Sequence, residues 1–492
     1  MASGPKVENG LLKPERERMT GYCWWVLIIG CLAWLCDCMG QRIFVLARDW
    51  ALKDMMKMPI LAALAAEAAK QGIDVSKLSA DAIKQITAGI TTPKGVYATV
   101  AMMIGWAVGG LFFGVMGDKW GRVRTLSISI FVYSAFTGLS GISITWIDFC
   151  IWRFLMGCGI GGAFATAATL IAETMPSHVR ALALGTFQAL SALGNIFASG
   201  VARWWIDPGV PFNFFGRELS GWRVLFFFGV LPAVLIFFIM GTVKEPEHWK
   251  AARKTAKDQL DRQMGDLRDM VRIPRWRRNT IIGVLLSVAG VVGLWGVGFW
   301  TPELIRDALP ASMPADQVSK VRNLALLLQD VGALLGMFFY TWVALKLGRR
   351  ASFGICFFLG WIVVSSVFIF LRTEWHAYLM TWMVGFVTLS VFGGYSIYFP
   401  ELFPTRLRAT GTGMCYNVGR IFAAAIIMFS TPINMFFKGL VGSHHEFFSK
   451  LGITSSFRLG MVTMCLIYFV GLITLIWAPE TKGKPLPTDD DK

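Results

Sequence analysis

The chain has 492 residues, 55 % of them hydrophobic, and its 47 Lys and Arg outnumber its 31 Asp and Glu to give a net charge of +16. So apolar a composition excludes an ordinary soluble domain. The positive charge does not argue for nucleic acid, because no soluble basic domain carries it.

What recurs instead is an apolar stretch of about 20 residues, long enough to cross ~30 Å of hydrocarbon. Twelve are expected, near Tyr22–Ala47, Val96–Met116, Leu126–Ile147, Phe149–Ala172, Ala181–Trp205, Trp222–Val243, Thr280–Trp300, Asn323–Ala344, Ser352–Leu371, Ala377–Phe399, Ala409–Phe436 and Phe457–Trp477. Residues 1–21 form a polar lead, and the first apolar run is long enough to span, so no cleavable signal peptide is expected. Eleven of the basic residues lie in Lys244–Arg278, and Lys119, Arg122, Arg124, Lys346, Arg349, Arg350, Arg406 and Arg408 sit at even-to-odd turns. All fall on the side that an even span count with both termini inside assigns to the cytoplasm. The nine cysteines lie in or beside spans and show no disulfide framework or metal spacing.

Trp34, Asp37 and Gln41 in the first span share one helical face. A carboxylate at membrane depth costs about 2.5–3.5 kcal/mol and marks either a functional site or a position near enough to the surface to be hydrated. Arg42 lies off that face and is expected to snorkel outward. Residues 48–94 then form an extracytoplasmic loop. Its Ala-rich Met55–Gln71 and the short Ser79–Thr87 read as two helices, a cap over the mouth of a translocation path or an arm for a partner.

Gly114-Val-Met-Gly-Asp118-Lys-Trp-Gly121-Arg122-Val-Arg124 leaves room only for a tight turn between two spans, with a carboxylate ringed by cations. The fourth span opens on Arg153, followed by Gly157 and Gly161 on the same face, where small residues admit a neighbouring helix. Next comes Glu173-Thr-Met-Pro176-Ser-His-Val-Arg180-Ala-Leu-Ala-Leu-Gly185. Its Glu, Pro, Arg, Ala and Gly recur without a gap, offset by 228, in Glu401-Leu-Phe-Pro404-Thr-Arg-Leu-Arg408-Ala-Thr-Gly-Thr-Gly413. Lys119-Trp-Gly121-Arg122 recurs as Lys346-Leu-Gly348-Arg349. The chain is therefore read as an all-α membrane protein of twelve transmembrane helices in two pseudo-symmetric six-helix bundles, 22–243 and 280–478. A cytoplasmic linker, 244–279, joins them, and a cytoplasmic tail, 479–492, ends the chain. The echo lacks one group: Leu345 stands where Asp118 does.

The glycine–arginine turn resembles the signature between helices 2 and 3 of the major facilitator superfamily of transporters, and the arginine and glycine run from Arg153 resembles that superfamily's helix 4 motif. Lys244-Glu-Pro-Glu247 and Pro479-Glu480 resemble the Pro-Glu signatures of its sugar-porter-like members. Tyr398 through Gly413 and Tyr416-Asn-Val-Gly-Arg420 resemble its organic-acid and sialate proton symporters. That branch commonly has two aspartates on helix 1, and here Gly40 replaces the second.

The resemblance implies alternating access about a midplane site. Arg420 would hold a substrate carboxylate or pair with a structural partner; Asn417, Tyr416, Gln41, Gln188 and Gln329 would hydrogen-bond the substrate, with Trp34, Trp295 and Tyr395 as aromatic walls. Asp37 or Asp330 would take up a proton, since burial favours the neutral carboxyl form. Asp118, Gly121, Arg122, Arg153, Glu173, Arg180, Glu401 and Arg408 would govern the conformational change. The expected cargo is a small organic anion such as a sugar acid, sialate-like acid or aromatic acid, moved with a proton. A sugar facilitator or symporter and a transporter-like nutrient sensor are the alternatives. The lipid bilayer is the expected surrounding, a bacterial inner membrane the expected location, and a monomer the expected state. No nucleic-acid partner, cofactor or metal is expected, and no Ser/His/acid set or P-loop suggests an enzyme.

Overall fold

The computed structural model describes residues 7–8, 11–12, 18–204, 206–207, 209–214, 217–258, 262–310, 313–443 and 455–489. Most of the 1–21 lead, Trp205, His444, His445 and residues 490–492 lie outside the described residues. Two short strands, β1 (Val7–Glu8) and β2 (Leu11–Leu12), pair antiparallel before the first span.

Helix α1 (Gly21–Met55) starts where Thr20 accepts a bond from the Cys23 backbone N–H, and runs well past its apolar stretch. α2 (Lys57–Gln71) closes on Gly72 in the left-handed region, φ 65°. α3 (Ala80–Trp120) corrects the expectation of a separate short helix at Ser79–Thr87. The Ser79 cap is present, but the helix continues for 41 residues through Pro93 into the second span. A proline inside a helix costs about 3 kcal/mol. Here Ile83, Ile86 and Ile90 pack on Met56, Ile60, Leu64 and Leu78 of the cap, and that burial outweighs the lost hydrogen bond.

α4 (Arg122–Ser140) and α5 (Trp146–Thr174) follow, α5 behind a Thr145/Asp148 capping box. The fifth span is α6 (Arg180–Ala189) and α7 (Ser191–Trp204); a hairpin of β3 (Pro211–Phe214) and β4 (Arg217–Ser220) leads to α8 (Gly221–Phe228) and α9 (Leu235–Thr242). The linker contains α10 (Glu247–Asp258) and α11 (Leu267–Arg272). The seventh span is α12 (Pro274–Val291), a π segment at Val292–Val297 and α13 (Thr301–Ala308). After it come α14 (Ala315–Leu347), α15 (Arg349–Phe370), α16 (Glu374–Glu401) and α17 (Arg408–Met428). The eleventh apolar stretch breaks there, and α18 (Ser430–Ser443) is a separate helix. α19 (Ser456–Met464) and α20 (Ile467–Thr474) are the last helices among the described residues.

Among the described residues eleven helical stretches are long and apolar enough to cross a membrane. α17 is not among them, although it is 21 residues long and largely buried. It carries Thr410, Thr412, Asn417 and Arg420, and polar groups of that kind in a span face protein rather than lipid. The repeat is visible in the packing. In the first half Gly105 and Gly109 of α3 face the backbone of Phe154 and Cys158 in α5; in the second, Gly332 and Gly336 of α14 face the backbone of Trp382 and Phe386 in α16. A Cβ at any of the four would collide with that backbone, so glycine is what lets these helix pairs close.

Candidate functional site

Two places collect the polar groups that a membrane should exclude: one at the terminal face, where α1 begins and α20 ends, and one halfway along the helices.

At the terminal face Gly121 turns the chain between α3 and α4 at φ 114°, and Gly348 does the same between α14 and α15 at φ 96°. Arg122 follows directly and is fully buried. Its Nε and Nη2 donate to the two oxygens of Glu173, both at 3.0 Å, and its Nη1 lies 3.1 Å from Asp118. The cluster extends into the other half. Arg408 donates to Glu173 at 2.6 Å, Arg122 donates to the Thr405 carbonyl at 2.7 Å, and Asp118 accepts from the N–H groups of Ala409 and Thr410 and from the Thr410 hydroxyl at 2.6 Å. Asp118, Arg122, Glu173 and Arg408 thus tie one bundle to the other. Arg180 donates to the Ala172 carbonyl inside the first half. Glu401 is held by Arg349, at 3.1 and 2.8 Å, and by Thr481. Arg153 is not brought to this cluster. It sits near the start of α5, bonded to Ser140 and the Phe136 carbonyl, with the rings of Phe44, Phe149 and Phe226 around its guanidinium.

The midplane site centres on α17. Arg420 is 1 % exposed, and its Nη1 donates to the Tyr416 carbonyl and, at 3.1 Å, to Asn417 Oδ1. Its guanidinium carbon lies 3.8 Å from the centre of the Trp106 ring and 4.4 Å from that of Tyr416. Cation–π contacts of this kind are worth about 2 kcal/mol when water is excluded. The Arg420 Nε has no hydrogen-bond partner, and no carboxylate among the described residues is within ion-pairing distance. Asn417 donates to the Gly413 carbonyl at 2.8 Å and packs where only glycine, Gly110 of α3, leaves room.

Across from it, Trp34 packs on Phe164, Phe187 and Tyr416, and Phe164 stacks on Tyr416 with centroids 3.4 Å apart. Asp37 is fully buried; Gln41 donates to its Oδ2 at 3.1 Å and its Oδ1 accepts nothing. Trp295 meets Trp106 edge-on. Tyr395 bonds the Leu286 carbonyl and stacks on Phe399, so its hydroxyl is already engaged. Gln188 and Gln329 each keep a buried side-chain oxygen without a hydrogen bond.

Three contributors went unread in the sequence. Trp106, Phe164 and Phe187 look like ordinary apolar packing there, and only the fold sets them around Arg420 and Trp34. Arg42 is a correction: it does not snorkel outward. It turns inward to bond Ser199 of α7 at 3.1 Å and to approach Asp330 of α14 at 3.3 Å. The signal was available, since an arginine flanked by apolar helix demands a partner.

A family model described as "Sugar (and other) transporter" matches residues 61–274. A cis,cis-muconate transport protein of Acinetobacter baylyi is 28 % identical over 386 residues, covering 78 % of this chain and 84 % of its own. A sialic acid transporter of Escherichia coli is 27 % identical over 352 residues, covering 71 % and 80 %. Among solved structures, the proton:xylose symporter XylE of Escherichia coli superposes with a TM-score of 0.61 at 18 % identity, covering 94 % of this chain and 98 % of that one.

Proposed function

We propose that this chain is a transporter of the major facilitator superfamily, with a small organic anion as its cargo, moved by alternating access of the two bundles and coupled to protons. The observation that carries this reading is Arg420: a buried guanidinium, clamped between two aromatic rings, with a donor unspent and no carboxylate within ion-pairing distance among the described residues. An ionised group in that position is costly unless an anion arrives to pair with it. A substrate carboxylate is such an anion, and Trp106, Tyr416, Phe164 and Trp34 supply flat walls suited to an aromatic or conjugated acid. Gln41, Gln188, Gln329 and Asn417 are the proposed hydrogen-bonding groups, with Trp295 and Tyr395 behind them. Asp37, with one oxygen unmatched beside the substrate, and Asp330 are the proposed proton acceptors. We place the terminal face in the cytoplasm and the protein, as a monomer, in a bacterial inner membrane. Relatives named for muconate and sialic acid support the anion; the proton:xylose symporter, alike in fold, supports proton coupling.

Uptake of radiolabelled muconate, benzoate-type acids and sialate into proteoliposomes, with and without an inward proton gradient, tests the proposal. Gradient-driven uptake that Arg420→Ala abolishes is the expected result. Uptake of neutral sugars unaffected by that substitution would overturn it in favour of sugar transport, the reading that the family model and the Pro-Glu signatures favour.

A further inference from the structure

Arg42 and Asp330 belong to different bundles. α1 runs from the terminal face outward, and Arg42 lies five residues beyond Asp37, about 7.5 Å further along the helix axis. It is thus on the far side of the midplane site, away from the Asp118 and Glu173 cluster. Asp330 is on α14 of the second bundle, and its described partners come from the first: Arg42 at 3.3 Å and Asn195 of α7. Ser199, one turn beyond Asn195, holds the Arg42 Nε at 3.1 Å and aims the guanidinium across the seam. The two side chains are 18 % and 10 % exposed, so the charges are largely withdrawn from water. The Asp330 Oδ2 facing Arg42 accepts no aligned hydrogen bond. The contact is charge against charge, without the geometric rigidity of the bidentate Arg122–Glu173 pair; when it separates, the oriented bond lost across the seam is that of Asn195 to Asp330.

We propose that Arg42 and Asp330 form a charge lock between the bundles that closes the far mouth of the translocation path. When the mouth opens the pair must part, and each charge is then hydrated. Arg42 becomes the first cation that a carboxylate meets on its way to Arg420, and it returns to Asp330 as the mouth shuts behind the cargo. The second step rests on the anionic cargo proposed above; the lock itself does not.

The experiment separates the two. Spin labels at Ile144, just before α5, and Trp375, at the start of α16, which are 79 % and 80 % exposed, report the width of the mouth by pulsed electron paramagnetic resonance. The protein is full-length, its native cysteines are replaced and it is held in lipid nanodiscs. Asp330→Asn and Arg42→Gln should each shift the distance distribution to longer values without substrate. The exchange R42D/D330R should bring it back toward the parent. In proteoliposomes Arg42→Gln and the exchanged pair should raise KM for the anion about tenfold, whereas Asp330→Asn should lower the turnover rate and leave KM unraised. Unchanged distances in both single variants, or an exchange that fails to restore them, overturn the lock. Distances that respond as expected in a protein that carries no anion leave the lock standing and overturn the recruiting role of Arg42. Should Asp330→Asn not accumulate in the membrane, Arg42→Gln interrogates the same contact from the other bundle.

Discussion

The two halves of the chain build the same arginine turn and use it differently. In the first half, Arg122 is gripped by Glu173, and Glu245 caps the start of α4 through the backbone N–H groups of Arg122 and Val123. In the second, Arg349 is gripped by Glu401, and Glu480 caps α15 through the N–H groups of Arg349 and Arg350. The first cluster then reaches across to the other bundle through Asp118 and through Glu173, which also receives Arg408. Of the second cluster, Leu345 has no carboxylate to offer where Asp118 stands, and the additional partner of Glu401 is Thr481 of its own half. A repeated scaffold thus carries a one-sided clamp, and the conformational equilibrium should be more sensitive to the first copy.

The largest effect expected from breaking that asymmetry is at Glu173. It is the shared acceptor of two buried arginines, and Glu173→Gln leaves both undercompensated. Removing one partner of a buried ion pair costs about 3–5 kcal/mol. The melting temperature in detergent should fall steeply, and far less in Glu401→Gln, whose carboxylate serves one arginine instead of two and whose arginine is less completely buried. Equal losses would mean that the crossing contact adds nothing.

Next in size is Asp118→Asn. The amide retains volume but cannot accept from Ala409, Thr410 N and Thr410 Oγ1 with both oxygens, nor attract Arg122. A loss of about 2–3 kcal/mol from the terminal-face closure follows from charge-assisted bonds of this kind. Transport should slow by ten- to a hundredfold, while binding of substrate from the far face survives, a split that equilibrium binding and counterflow measure. Leu345→Asp sharpens the same point. If the asymmetry lies in what the second copy faces, and not merely in the missing carboxylate, the new aspartate will not rescue Asp118→Asn.

The clamp was legible in the sequence to the extent that it is a linear pattern. Gly121 and Gly348, Arg122 and Arg349, Glu173 and Glu401 announce themselves by spacing, because a tight turn and a buried arginine each admit few residue types. The same holds for Arg420, whose position deep in an apolar helix is unusual on its own. What spacing does not encode is which side chains meet across the seam. Arg42 reads as a surface cation until α7 and α14 are placed beside it. Trp106 and Phe164 are indistinguishable from lipid-facing or core aromatics until α3 and α5 bring them to α17. The continuous α3 was missed because proline is a local signal for a stop, whereas the burial of Ile83, Ile86 and Ile90 that overrides it is tertiary.

The smallest effect separates the two caps by pH. Burial pushes the Glu245 carboxyl up, past what the N–H groups of Arg122, Val123 and Arg124 give back. Burial also works against the charge on Glu480, but there the N–H groups of Arg349, Lys482, Arg350 and Thr481 prevail and hold the carboxyl below its ordinary range. The signs are therefore opposite. Glu480 contributes stability that is present above the ordinary glutamate range and is lost as pH falls through its lowered pKa; for Glu245 the fold gains as pH falls through the raised one. At pH 7 Glu480→Gln should cost about 1 kcal/mol, the usual worth of a helix cap, whereas Glu245→Gln, which removes a charge that burial opposes, should cost nothing or stabilise slightly. Melting curves of the parent and both variants from pH 7 to pH 3.5 should show the Glu480→Gln deficit shrinking toward zero with acid, while the parent and Glu245→Gln converge at a higher pH. If the two deficits were equal and faded together, the caps would be interchangeable, and the difference between the halves would reside wholly in Asp118 and Glu173.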